Sequence, residues 1–183
     1  MTGIKQPEDK VWVAIHKDMA LIRVEGRGSF KVSTSLKQFG NAAVDAGCHR
    51  VILDMSPCIG MDSTFMGVLA GLASRIKQQR GGDVVMLNLA SRTRGLVATL
   101  GLDQIIPSYQ VDATPEEFQP IMAMTHEMSV LQAKNNSKVA TAKTMLEAHE
   151  NLVKLTPENV PRFKDVLAFL REDLKRKTEA GLD

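Results

Sequence analysis

Between residues 11 and 120 the hydrophobic pattern alternates between two periods, and this alternation constrains the fold more than any other feature. Short runs rich in β-branched residues, typical of buried strands, are separated by longer stretches in which apolar residues recur every three or four positions, as on one face of a helix. Strands joined through helices form parallel pairs with right-handed crossovers, and the helices cover the sheet. The sequence therefore predicts an α/β domain over residues 10–120.

Turn and capping residues divide this domain into five strands of a mixed sheet and the helices that cover it. The first two strands form an antiparallel hairpin, because only residues 16–19 separate them. The predicted strands are 11–15, 20–24, 51–54, 84–88 and a last short one that begins at 105–106. Polar capping residues predict that helices begin at Ser33 or Thr34, at Asp62 or Ser63, at Ser91 or Thr93, and at 114–117.

Residues 121–183 are predicted to form a helical extension of this domain. Helix formers dominate residues 122–155. Pro157 and Pro161 interrupt the pattern, since proline removes a hydrogen-bond donor and restricts the residue before it. The last helix then carries a continuous apolar face, formed by Phe163, Val166, Leu167, Leu170 and Leu174.

Packing must cover that apolar face, because a stripe of this width is unfavourable in water. Two interpretations remain open. The face packs onto its own domain or onto the preceding helix as a hairpin, or it forms a subunit interface, as in a homodimer. A second packing feature is the pair Gly67 and Gly71 in the second predicted helix, which we attribute to close packing of that helix on the sheet.

Composition argues against several classes of partner. The 23 basic and 21 acidic residues leave a net charge of +2, and the chain has only six Phe, one Tyr and one Trp. A nucleic-acid binder relies on a basic excess or on aromatic stacking, so we expect no nucleic-acid partner. No apolar run reaches the ~18 residues that span a bilayer, so no membrane association is predicted. Cys48 and Cys58 are predicted to be reduced thiols in the core of a cytoplasmic protein.

Catalytic and metal-binding patterns are not found in the sequence. His16, His49, His126 and His149 are scattered, and none stands with a cysteine or carboxylate at metal-ligand spacing. The chain has neither a Gly-x-Ser-x-Gly nucleophile elbow nor a Walker phosphate-binding loop. We therefore predict neither an enzyme nor a bound metal or cofactor.

The most informative segment runs from the strand that ends at Asp54 to the helix that starts near Asp62. Asp62, Ser63 and Thr64 occupy the helix start, where the backbone N–H groups have no partner within the helix. Capping alone explains an Asp or Ser there, because such side chains satisfy those donors. A phosphate on a serine at this place would also be favoured by the positive end of the helix dipole.

This segment resembles the STAS domain, a family named for sulphate transporters and anti-sigma-factor antagonists. The matching residues are Val51-Ile-Leu-Asp54, then Met61-Asp-Ser-Thr64 and Met66-Gly67. The similarity continues through Gly81-Gly82 and through Ser91-Arg-Thr-Arg-Gly-Leu-Val-Ala-Thr-Leu-Gly-Leu102, which is similar to the family's third helix. Strand and helix order agree with the family over residues 10–120.

The resemblance implies a partner-switching phosphoprotein that regulates transcription without contacting DNA. Antagonists of this family bind an anti-sigma factor that is also a serine kinase, which phosphorylates a serine at the start of the second helix; a PP2C-type phosphatase reverses the modification. The matching position is Ser63, with Thr64 as second choice. The expected partner-binding residues are Ser56, Pro57, Cys58, Ile59, Gly60, Asp62, Ser63, Thr64 and Phe65. Phe65 departs from the glycine that many members have, and we expect it to reshape the docking surface.

Two alternatives stay open. The domain can be a scaffold that is never phosphorylated and that assembles a signalling complex through its helical tail. Alternatively, Asp54 at a strand end is similar to the phosphate-accepting Asp of a response-regulator receiver. A receiver needs a pair of acidic residues after its first strand to hold Mg²⁺, and here Asp18 stands alone.

Overall fold

The computed structural model describes residues 8–110 and 112–181. Within these residues seven strands occur: β1 Lys10–His16, β2 Met19–Gly28, β3 Arg50–Asp54, β4 Cys58–Met61, β5 Asp83–Leu89, β6 Ser108–Gln110 and β7 Ser129–Val130. The α-helices of the same residues are α1 Phe30–Asp45, α2 Ser63–Arg80, α3 Ser91–Thr99, α4 Gln119–Met122, α5 Lys138–Leu155 and α6 Asn159–Glu179. No helix in this part of the chain is both long and apolar enough to cross a membrane.

The sheet is mixed, with strand order β6-β5-β3-β2-β1-β7. β2, β3, β5 and β6 are parallel neighbours, whereas β1 lies antiparallel to both β2 and β7. β4 is off this path and pairs with the end of β2 at Gly26–Gly28, beyond the residues of β2 that pair with β3. The predicted mixed sheet covered by helices is confirmed, and so is the opening hairpin.

Both faces of the sheet are buried, and this explains the uninterrupted apolar run of β3. Val51 and Leu53 belong to the larger core, together with residues of α1 and α2. Ile52 points to the opposite face and joins a smaller core that Phe118 and the segment 115–128 close. Alternate residues of a strand face opposite sides, so the middle of a central strand covered on both sides is apolar at every position, and the charged residues of β3 stand at its two ends.

The C-terminal helices pack onto the molecule's own domain. α5 packs along α2, and α6 packs back on α5. Ala148 and Leu152 of α5, with Phe163 and Leu167 of α6, belong to the same core as the sheet and α2. α5 and α6 thus form an intramolecular hairpin that packs on α2. Of the apolar face of α6, Val166 stays 39% exposed, and Phe169, which lies outside that face, is 60% exposed.

The start of α1 and the last sheet strand differ from the sequence prediction. α1 begins at Phe30, after Ser29, because Ser33 and Thr34 are buried on its inner face instead of capping it. The prediction that the last strand begins at 105–106 is wrong. Ile106 is a fully buried core residue, and the strand forms at Ser108–Gln110. The predicted helix start at 114–117 is a 3₁₀ turn, Glu116–Phe118, that leads into α4.

The extension also differs from its prediction. After α4 ends at Met122, residues 123–137 do not continue as α-helix: they form a 3₁₀ turn, the edge strand β7 and an irregular connection, and α5 begins only at Lys138. Pro161 does not interrupt a helix, since it lies in the first turn of α6, where its missing N–H group has no intrahelical partner to lose. β4 and β7 were not predicted, because strands of four and two residues carry too little periodicity to detect.

The hairpin is expected to contribute to global stability. Leu152 is fully buried in the main core, so Leu152→Ala should lower the free energy of unfolding by about 3 kcal/mol through lost burial and the cavity it leaves. Phe169→Ala on the exposed side of α6 should change it by less than about 0.5 kcal/mol. Chemical denaturation measures both, and equal midpoints for the two variants would contradict the packing of α5 on α2.

Candidate functional site

The carboxylate of Asp62 caps two helices at once. Its Oδ1 accepts the N–H of Phe65 at 2.8 Å, in the first turn of α2, and its Oδ2 accepts the N–H of Phe30 at 2.7 Å, at the first residue of α1. The Asp62 N–H group in turn donates to the carbonyl of Gly28 at 2.9 Å. These bonds hold the end of β2 and the starts of α1 and α2 in one arrangement, and they confirm Asp62 as the helix cap.

Ser63 is the first residue of α2 and is half-buried. Its Oγ lies 3.0 Å from Nε2 of His149 in α5, 86 residues away in sequence. The other ring nitrogen of His149, Nδ1, lies 2.7 Å from the carbonyl oxygen of Met145. Because a carbonyl oxygen only accepts, Nδ1 carries a hydrogen, and in the neutral ring Nε2 is then the acceptor. The Ser63 hydroxyl therefore donates to His149.

The His149 ring is held from several sides. It is 4% exposed, and the ring of Phe163 in α6 meets it edge to face, with centroids 5.1 Å apart and planes at 69°. With the Met145 carbonyl on one nitrogen and Ser63 on the other, both nitrogens are occupied. The C-terminal hairpin thus places a fixed imidazole over the hydroxyl at the start of α2.

One turn after Ser63, the backbones of α2 and α5 touch. A Cβ atom built on Gly67 would lie 2.2 Å from the Ala148 carbonyl oxygen, so only glycine permits this approach. Asn151 donates to the Gly67 carbonyl at 3.2 Å, and a Cβ atom on Gly71 would lie 2.4 Å from the Asn151 side chain. These two glycines therefore do allow close packing, as predicted. They pack against α5, however, so the prediction that they pack against the sheet is wrong.

The predicted partner-binding residues divide into an exposed group and a buried group. Ser56 and Ile59 are exposed, with Ile59 at 46%, and Pro57, Gly60, Asp62 and Ser63 are partly exposed. Cys58, Thr64 and Phe65 are buried, at 5%, 4% and 0%. The expectation that all nine line an exposed surface is therefore corrected for these three. Residues 58–60 also belong to β4 and not to a loop.

Phe65 shapes the core and not the surface. Its ring packs against Gly28 so closely that a Cβ atom there would meet it at 2.7 Å. It is buried because the first turn of α2 faces β2 at this point, and Thr64, beside it, is buried as well. Of the two hydroxyl-bearing residues at this helix start, Ser63 is partly exposed and Thr64 is not.

A groove of about 280 Å³ lies beside Asp62, between the end of β2, β4 and α3. Exposed Arg27 and Arg92 line it together with Ile59 and Asp62, so it combines two positive charges, one negative charge and an apolar side chain. We call it the docking groove. Sequence reasoning did not single out the two arginines, because nothing in their local pattern distinguishes them from other surface charges. His149 carried one signal, a histidine on an apolar helical stripe.

Asp54 has a structural role that does not fit a receiver. Its Oδ2 accepts Arg23 at 3.0 Å, and its Oδ1 accepts the N–H of Ser56 at 3.0 Å. Asp18 lies at the opposite end of the sheet, because Arg23 pairs with Asp54 whereas Met19, next to Asp18, pairs with Arg50. The receiver alternative therefore lacks the acidic pair that would hold Mg²⁺. Among the described residues, no three His, Cys, Asp or Glu side chains form a group that could hold a metal ion.

Comparison with known families identifies the domain. The model of the STAS domain family matches residues 10–117. The chain belongs to this family. The α5–α6 hairpin, including His149, lies beyond the residues that the STAS model matches. No curated protein sequence matches the chain significantly.

Solved STAS-like structures share the fold at low identity. The unphosphorylated anti-sigma factor antagonist SpoIIAA of Bacillus is 16% identical, with a TM-score of 0.51, over 62% of this chain and 96% of SpoIIAA. An anti-sigma factor antagonist of Mycobacterium paratuberculosis is 17% identical, with a TM-score of 0.50, over 65% of this chain and 95% of that protein. TM1081 of Thermotoga maritima is 16% identical, with a TM-score of 0.50, over 62% and 92%. At this identity the likeness shows the fold.

Loss of the double cap should destabilise the protein. Asp62→Ala removes the acceptor of two charge-assisted bonds to helix N–H groups, so the free energy of unfolding should fall by about 2 kcal/mol. Asp45→Ala is a matched control, because Asp45 is mostly exposed and pairs with Arg75 at 2.7 Å, an interaction worth less than about 1 kcal/mol. Thermal or urea unfolding compares them, and equal losses would contradict the capping role of Asp62.

Cys58 should be an unreactive thiol. Burial raises the pKa of Cys58, because the charged thiolate is disfavoured away from water, and the thiol stays protonated at neutral pH. Burial, followed by the charge of Asp18, raises the pKa of Cys48 in the same direction. Alkylation by iodoacetamide should therefore be slow in the folded protein and become fast on addition of denaturant. Fast alkylation of the folded protein would show that β4 is open to solvent.

Proposed function

We propose that this protein is an anti-sigma-factor antagonist that binds an anti-sigma factor with serine kinase activity and is switched off by phosphorylation of Ser63. The observation that carries the proposal is the position of Ser63, a half-buried serine at the first residue of an 18-residue helix, directly after Asp62 at the docking groove. In this proposal the protein acts in the cytoplasm by binding, without covalent chemistry of its own, and a PP2C-type phosphatase restores the unmodified form.

A phosphate at Ser63 is compatible with the fold and unfavourable for docking. The N-terminus of α2 carries partial positive charge, which favours an anion there. A docking partner, in contrast, would meet the two negative charges of the phosphate next to the carboxylate of Asp62. Desolvated like charges at an interface cost several kcal/mol, enough to shift a binding equilibrium by orders of magnitude.

The docking groove favours a partner segment that pairs acidic and apolar side chains. Arg27 and Arg92 supply positive charge on its walls, and Ile59 presents an exposed apolar side chain. Such a combination steers an acidic surface by charge and retains it through apolar contact. Binding centred on this groove and on Ser63 would place the modified residue at the edge of the complex.

A second candidate is a STAS scaffold that is never phosphorylated. One observation favours it, because the Ser63 hydroxyl is already bonded to the buried His149 and so has a structural role that requires no kinase. In that case the partner binds the domain constitutively, and the helical tail provides a further surface for assembling a complex.

Phosphorylation and binding together decide between the two candidates. Wild-type protein purified from its native host should show a population heavier by one phosphate that is absent in Ser63→Ala and retained in Ser74→Ala, an exposed serine of the same helix. A pull-down should recover a kinase-type partner with wild type and Ser63→Ala, and lose it with Ser63→Asp. Wild type that binds the partner and takes up no phosphate would contradict the switch and support the scaffold.

A further inference from the structure

We propose that the α5–α6 hairpin is an intramolecular lock on Ser63: closed, it withholds the hydroxyl from a kinase, and phosphorylation and hairpin closure exclude each other. This inference rests on the proposed role of Ser63 as phosphoacceptor. It concerns residues 138–179, which lie beyond the part of the chain matched by the family model.

The closed hairpin occupies the space that phosphoryl transfer needs. A kinase must place the serine oxygen in line with the γ-phosphate and take the hydroxyl proton with its own base. Here that proton is donated to Nε2 of His149, and the ring stands 3.0 Å from Oγ. Phosphorylation removes the hydrogen that Oγ donates to Nε2, so it breaks the bond to His149, and a phosphoryl group that takes the place of that hydrogen meets the imidazole.

His149 cannot move aside alone. Its Nδ1 is bonded to the Met145 carbonyl, and the Phe163 ring of α6 packs against it. The α5 backbone is seated directly on α2 where Gly67 meets Ala148, with Asn151 bonded across the same contact. Access to the hydroxyl therefore requires α5 and α6 to separate from α2 as a unit.

The structure also shows how such a unit can separate. An irregular connection joins it to the sheet over residues 131–137, so the helices can lift without breaking the chain path of the domain. Beside the apolar contact, a polar cleft of about 480 Å³ separates α5 from α1, and the ion pair of Lys37 with Glu147 spans it. The hairpin is held by close backbone packing along α2 and by a half-buried ion pair on the side of α1.

Phosphorylation of Ser63 and opening of the hairpin are coupled, and the coupling is reciprocal. If the closed state excludes a phosphate on Ser63, then a phosphate on Ser63 must favour the open state by the same free energy. The rate of phosphorylation then scales with the open fraction of the unmodified protein. A signal that lifts the hairpin would raise phosphorylation without any change in the kinase.

Gly67→Ala is a sharp test, because it leaves Ser63 and His149 intact. The added methyl group meets the backbone of Ala148, so α5 must move off α2, whereas in Gly95→Ala the new atom meets nothing within 4 Å. Amide hydrogen exchange of the full chain should be at least about tenfold faster in α5 for Gly67→Ala than for wild type or Gly95→Ala, while the amides of β3 and β5 stay protected.

Ser63→Asp tests the reverse direction without a kinase. A carboxylate in place of the hydroxyl should speed exchange of the same α5 amides, whereas Ser74→Asp, an equal charge at an exposed position of α2, should not. This variant decides the outcome even if Gly67→Ala does not fold. Wild-type exchange rates of α5 in Ser63→Asp would overturn the lock.

Phosphorylation in the native host separates failure of the lock from failure of the proposed function. The phosphorylated fraction at Ser63 should be higher in Gly67→Ala than in wild type and Gly95→Ala. Equal, measurable fractions in all three would overturn the lock and leave the proposed function standing. Faster α5 exchange in Gly67→Ala and Ser63→Asp, with no phosphate in any variant, would support the lock and contradict the proposed function.

Discussion

The carboxylate of Asp62 joins three pieces of chain, and the geometry around Ser63 depends on that junction. By accepting the N–H groups of Phe30 and Phe65, it sets where α1 and α2 begin, and its own N–H group ties both to the end of β2 at Gly28. An aspartate can do this because its two oxygens point in different directions and each accepts a charge-assisted bond. Ser63 follows directly, so its hydroxyl is placed by the same bonds that cap the helices.

A second constraint is the burial of α2 on most of its circumference. One side of α2 packs against the sheet, and the side that carries Gly67 and Gly71 packs against α5. The STAS domain therefore does not end its hydrophobic core at residue 117, since Ala148 and Leu152 complete it. This shared core links stability to function, because the helix that presents Ser63 is the helix that the extension covers.

The docking groove lies beside Asp62, whereas the hairpin contacts the hydroxyl of the next residue, Ser63. Arg27, Ile59 and Arg92 lie around the groove beside Asp62, whereas His149 reaches Ser63 from α5. In the proposed lock, a partner that binds the groove need not displace the hairpin, whereas a kinase that modifies Ser63 must. Binding and modification thus make different demands on the protein, and a switch can use that difference.

The sequence by itself determined the features that depend on near neighbours. The buried strand that ends at Asp54, a helix start at Asp62 or Ser63, and the family all follow from local periods, caps and motifs. Tertiary structure decided the early start of α1, the short strands β4 and β7, the burial of Thr64 and Phe65, and the bond between Ser63 and His149. The physical reason is separation along the chain: contacts between residues as far apart as Ser63 and His149 depend on how helices and strands pack, and no local pattern of residues encodes that packing.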